Sequence, residues 1–145
     1  MMYILKLIED HIDAENLCWS ILFLDVIGYS YDPYMITILS SSELEKAVKI
    51  TRGGYKIKWE ELKKICSGFE NIVDCSIVGS RSYEEINHIA EKCTGNNFDA
   101  NFEMNYIGID IVDGEMYKFY SKDQQLEQKI CNSIGPFPVI IYGNI

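Results

Sequence analysis

Histidine is nearly missing from this chain. His11 and His88 are the only two, and neither stands in metal-ligand register with Cys18, Cys66, Cys75, Cys93 or Cys131, so no metal site is expected. No two cysteines are spaced C-x-x-C, and their number, five, is odd. This argues against a disulfide framework, and free, mostly buried thiols in a reducing compartment are expected. The motifs that carry chemistry are missing as well: there is no G-x-S-x-G, no H-E-x-x-H and no calcium loop. Basic charge is scarce, with 13 Lys and Arg against 22 Asp and Glu, for a formal charge of −9. Such a field repels nucleic acid and anionic membranes and attracts cationic partners. Long apolar runs are also wanting. Residues 17–27 are too few to span a membrane and include Asp25, and Lys6 alone precedes Glu9 and Asp10, so no targeting signal is expected and the cytoplasm is the expected compartment.

What is present is ordinary for a globular protein: 48% hydrophobic and 24% charged residues. A chain of 145 residues fits one domain, and at that size roughly 68 to 70% of the unfolded surface can be buried without a staple. No internal repeat or low-complexity segment breaks it up.

The clearest signal lies near the C-terminus. Ile107, Ile109 and Ile111 alternate with Gly108 and Asp110, Asp113-Gly114 is a strong two-residue hairpin signal, and residues 116–120 form the return strand. Ser121 stands where a helix cap belongs, with Asp123 in the first turn; Leu126, Ile130 and Ile134 make the apolar stripe, and Gly135-Pro136 ends it.

Elsewhere, residues 3–8 are rich in strand formers and read as a first strand. Residues 13–27 admit two readings. Asp13 can cap a helix that places Leu17, Ile21 and Leu24 on one face up to Gly28, whereas the Trp, Phe, Val and Ile content of 18–27 suits a buried strand; we lean to the helix. Residues 35–39 suit a strand and 43–49 a short helix with a Glu45/Lys49 pair. Arg52-Gly53-Gly54 lacks the longer pattern of a phosphate loop and reads as a turn into the extended Tyr55–Ile57. Trp59, Leu62 and Ile65 line one side of a helix over 59–67, where Lys56, Lys58, Lys63 and Lys64 mix with Glu60 and Glu61 in a solvated face. Residues 72–78 suit a strand, Ser82-x-x-Glu85 is a capping box opening a helix over Tyr83–Lys92, and 137–142 close the chain as a buried strand. The sum is a single α+β domain: about five strands in a mixed or mostly antiparallel sheet, with helices packed on one face.

Catalysis would need a Cys/His pair built from Cys75 or Cys93 with His88, or a carboxylate pair such as Asp110 and Asp113. Neither cysteine carries a nucleophile signature, a partly buried structural role suits His88, and turn chemistry explains Asp113. We expect a binding protein without cofactor rather than an enzyme; a small Cys/His or carboxylate enzyme and a homo-oligomeric adaptor module are the alternatives.

The run from Val112 through Asp113-Gly114, Met116, Tyr117, Phe119 and Tyr120 to Ser121-Lys122-Asp123, with its Leu126/Ile130 helix, resembles the closing hairpin and helix of several small bacterial proteins. Many of these are immunity proteins of toxin systems such as contact-dependent growth inhibition. The resemblance implies a protein that binds and neutralises the C-terminal domain of a cognate toxin. Nuclease toxins need basic surfaces to hold their substrate, so an acidic inhibitor gains steered association. Tyrosines add contact area at low entropy cost. The candidate contacts are Tyr29, Tyr31, Asp32 and Tyr34 around the Asp32-Pro33 turn, then Glu84, Glu85, Asp110, Asp113, Glu115 and Tyr117.

Overall fold

The first eight structured residues are a helix, not the strand that their composition suggests. A computed structural model describes residues 1–29, 41–92, 105–133 and 139–141. In it α1 (Met2–Glu9) buries Ile4, Leu5 and Ile8 while Lys6 pairs with Asp10 at 2.9 Å. Burial at spacings of one and four is helical, and the charges at i and i+4 hold the outer face together. Strand-forming side chains count for less than the period at which they recur.

The second correction is larger. The helix expected from Asp13 is a single 3-10 turn, Ala14–Asn16, followed by the twelve-residue strand β1 (Cys18–Tyr29). Asp13 makes no side-chain cap; its carboxylate accepts from the Asn16 amide at 2.5 Å instead. The helical spacing of Ile21 and Leu24 has a specific origin. Against β3 (Phe69–Ser80), Ile21 pairs with Ile77 and Phe23 with Ser76, so Leu22 is an extra, bulged residue. A bulge puts residues three apart on the same face of a strand, which copies the spacing of a helix.

Further along come α2 (Ser41–Ile50), β2 (Tyr55–Ile57), α3 (Trp59–Gly68), α4 (Tyr83–Lys92), β4 (Ile107–Val112), β5 (Met116–Ser121), α5 (Gln124–Ser133) and β6 (Val139–Ile141). These match the sequence expectations in type and place, and the expected strand at 35–39 lies outside the described residues. Gly53 and Gly54 both have positive φ, which makes the tight turn into β2. At the β4–β5 hairpin Asp113 (φ 53°) and Gly114 (φ 68°) adopt the two left-handed conformations that match the twist of the flanking strands. The cap of α5 is one turn-residue pair later than expected. Asp123 accepts from the N–H groups of Gln125 (3.0 Å) and Leu126 (3.2 Å), while Ser121 Oγ accepts from the N–H of Asp123. Ile134, Gly135 and Pro136 lie outside the described residues.

The six strands form one sheet in the order β2-β1-β3-β4-β5-β6, antiparallel throughout except for the parallel β5–β6 pair. One face carries the main core. Trp19, Ile21 and Leu24 of β1 line up with Cys75 and Ile77 of β3, Ile107, Ile109 and Ile111 of β4 and Phe119 of β5, under α1, α2, α3 and α5. Val78 and Ile86 are buried apart from that cluster, since α4 packs on β3 and β1 from the other side. The chain is an α+β domain with most of its helices on one face of a mostly antiparallel sheet.

Candidate functional site

Alternation decides what each strand presents away from the core. In β1, Leu24 and Val26 point into the core, so Phe23, Asp25 and Ile27 point out on the second face. Phe23 is 40% and Ile27 63% exposed, and Asp25 between them is exposed as well. Across on β3, Asp25 stands directly opposite Asp74, and Ile27 opposite the exposed Asn71. Like charges in register repel, so this pairing costs stability in the free protein.

The β4–β5 hairpin brings more acid to the same end. The N–H of Asp113 donates to the Asp74 carboxylate at 2.9 Å, and that of Gly114 to the carbonyl of Val73 at 2.7 Å. Val73 is the extra residue of a second bulge, between the Asp25–Asp74 and Val26–Ile72 pairs, which frees its carbonyl for the hairpin. Asp113 is thereby held beside Asp74, and both Asp113 and Glu115 of this turn are exposed.

Further along the same face, Ser76, Asp110 and Lys118 form one row across three strands. Ser76 Oγ donates to Asp110 Oδ1, and Lys118 Nζ lies 4.0 Å from Asp110 Oδ2. Asp110 is only 8% exposed. Its carboxylate serves the sheet.

The sequence-based candidates therefore divide. Asp113 and Glu115 share the hairpin tip, where Asp113 binds Asp74; Asp74 and its register partner Asp25 are residues the sequence reading missed. Glu84 and Glu85 are exposed in the first turn of α4, beyond Ser80; the strand from Asp74 to Ser80 alone spans about 20 Å, so they belong to a different part of the surface. Glu85 accepts from the N–H of Arg81 at 3.1 Å, and Ser82 Oγ accepts from Glu85 N–H at 3.2 Å. Asp110 is buried in the sheet and Tyr117 packs against the core from β5. Tyr29 ends β1 opposite Phe69, and Tyr31, Asp32 and Tyr34 lie outside the described residues. Asp25 carried a signal, a lone carboxylate in an apolar run, that points to a surface strand once the run is read with period two.

Among the described residues, Cys75 and His88 are not brought together. Cys75 faces the core, where burial pushes its thiol well up, and Cys66 beside the same core is pushed up to about 12 by burial. His88 is exposed, not partly buried as its flanking isoleucines suggest, and it sits on α4, across the sheet from Cys75. Cys93 lies outside the described residues. The Nδ1 of His11 is 2.8 Å from the Leu7 carbonyl, and its Nε2 touches Lys129. Among the described residues no group of three or more His, Cys, Asp or Glu could hold a metal, and no helix is long and apolar enough to cross a membrane.

Two of the four lysines of the local basic cluster are used within the molecule, and Lys58 and Lys64 are exposed. Lys63 pairs with Glu9 and, at 2.7 Å, with Glu60, while Lys56 lies over the Tyr83 ring, 5.3 Å from its centre. Searches against family models, curated proteins and solved structures match nothing to this chain.

Proposed function

We propose that this protein binds and neutralises a basic domain of a bacterial toxin, in the manner of an immunity protein, through an acidic surface. The partner class comes from the hairpin-helix resemblance, and the charge comes from a surplus of 22 acidic over 13 basic residues. The observation that supports it best is the in-register pair Asp25 and Asp74, joined by Asp113 and Glu115 on a surface that also exposes Phe23 and Ile27. Opposed carboxylates destabilise a sheet unless a cation lies between them, and apolar side chains beside them supply the contact area on which protein interfaces depend. A nuclease domain carries Lys and Arg to hold phosphates, so an inhibitor of this charge meets it by steered association and covers the groups its substrate needs.

The test is genetic and then biochemical. The C-terminal domain encoded by the open reading frame directly upstream is co-expressed with this protein in a sensitive host. Restored growth and co-purification at one to one are expected. An upstream product that is not toxic, or toxicity that persists in its presence, contradicts the reading.

A further inference from the structure

The strip of the second sheet face formed by the exposed Phe23, Asp25 and Ile27 on β1, with the exposed Asn71 and the half-buried Asp74 on β3, has the make-up of a docking centre for a particular kind of side chain. We infer that it receives an arginine of a basic partner protein, the guanidinium bridging the Asp25 and Asp74 carboxylates and flanking apolar residues of the partner lying on Phe23 and Ile27. This rests on the reading above that the partner is a cationic protein, and it names the surface and the recognised group.

Three observations converge. First, Asp25 and Asp74 are register partners across an antiparallel pair, where Cβ atoms lie about 5 Å apart, a spacing that one planar guanidinium can span. Second, Asp74 is held in place by the N–H of Asp113, so half of the acidic pair is ordered before a partner arrives. Third, of the large apolar side chains exposed among the described residues, Phe23 and Ile27 share one strand face, two residues either side of Asp25. Their spacing makes an apolar–acidic–apolar strip about 13 Å long. A stable interface needs about 800 Å² from each partner, so the strip is the centre of a larger contact, with Asp113 and Glu115 at its rim. A second copy of the chain is the wrong occupant. A two-fold contact through this patch would set Asp25 and Asp74 against their own equivalents.

The test needs no toxin. The full-length protein, labelled with nitrogen-15, is titrated with a short synthetic peptide of alternating arginine and leucine, with an alternating glutamate and leucine peptide as control. Amide shifts are expected at residues 23–27, 71–74 and 113–115 with the arginine peptide alone. Asp25→Asn combined with Asp74→Asn, which keeps an oxygen acceptor for the Asp113 N–H, is expected to weaken binding about tenfold, and Ile27→Ser about fivefold. Glu84→Gln with Glu85→Gln is expected to change it less than about twofold. Shifts centred on α4, equal weakening by the α4 substitutions, or a dimer in light scattering that Ile27→Ser dissociates would each overturn the inference. Growth rescue from the toxin together with an unshifted 23–27 strip removes this docking centre and leaves the toxin-binding reading standing. A shifted strip without rescue does the reverse.

Discussion

Trp19 lies against Trp59, ring centroids 4.7 Å apart and planes tilted by 36°, and the Trp19 indole N–H donates to the carbonyl of Ala14 at 2.8 Å. One side chain thus ties the 3-10 turn, β1 and α3 together at the centre of the core. Trp59 is also anchored, its indole N–H donating to Glu9 at 3.3 Å. Trp19→Ala is expected to destabilise the protein by about 3 to 5 kcal/mol, the range for emptying a buried aromatic site. Urea denaturation followed by circular dichroism measures it; a loss below about 1 kcal/mol would show that the pair is peripheral.

The carboxylate that starts α5 gives a second expectation. Since Asp123 accepts from Gln125 and Leu126, Asp123→Ala is expected to cost about 1 kcal/mol and Asp123→Asn only a few tenths, because asparagine keeps the acceptor. Equal losses for the two would assign the effect to charge at the helix end rather than to the hydrogen bonds.

How far these features could be read in advance follows from how local their causes are. The hairpin, the turn at Gly53-Gly54 and the cap at Ser82 are written in two to four adjacent residues, and each forms where its sequence signal lies. The misread elements depend on partners far away in the chain. Residues 2–9 are helical because Ile4, Leu5 and Ile8 meet α3 and α5, and β1 imitates a helix because Leu22 bulges against β3. The acidic surface was only half visible for the same reason. Asp113 and Glu115 are marked by their turn, but Asp25 and Asp74 become neighbours only through strand register. Asp110 looked like surface by alternation and is buried, flanked across the neighbouring strands by Ser76 and Lys118.

Glu127 makes stability depend on pH in an unusual direction. It is nearly buried in α5, its Oε1 has no hydrogen-bond partner among the described residues, and burial raises its carboxyl above the ordinary value against the weaker opposing effect of a backbone hydrogen bond from Ser121. A folded-state value above the unfolded one means that the folded protein holds the proton more tightly. Stability from this group is therefore greatest below the unfolded value and falls as pH rises through the folded one. Glu127→Gln is expected to flatten that fall and to raise the neutral-pH melting temperature, as read by thermal denaturation at several pH values. A variant that melts lower at neutral pH would mean that the ionised carboxylate is stabilising.

The buried thiols offer a simple chemical check. Cys66, its thiol pushed up to about 12, and Cys75 are expected to resist iodoacetamide in the native protein and to react on unfolding, whereas the half-exposed Cys18 and Cys131 react first. Mass spectrometry of the labelled peptides distinguishes them. Rapid native labelling of Cys75 would show that the sheet opens at its centre.

The repulsion between Asp25 and Asp74 separates stability from binding, and that separation is the most direct measurement available. Isothermal titration of the proposed partner, the C-terminal domain of the product encoded directly upstream, into the wild-type protein and into Asp25→Asn/Asp74→Asn, each at low and high salt, reports affinity, while thermal denaturation reports stability. The expected result is one-to-one binding that weakens with salt and is weaker in the double variant, whose melting temperature is equal to or higher than that of the wild type. Affinity that ignores salt and is unchanged in the double variant would contradict an acidic grip on a cationic partner.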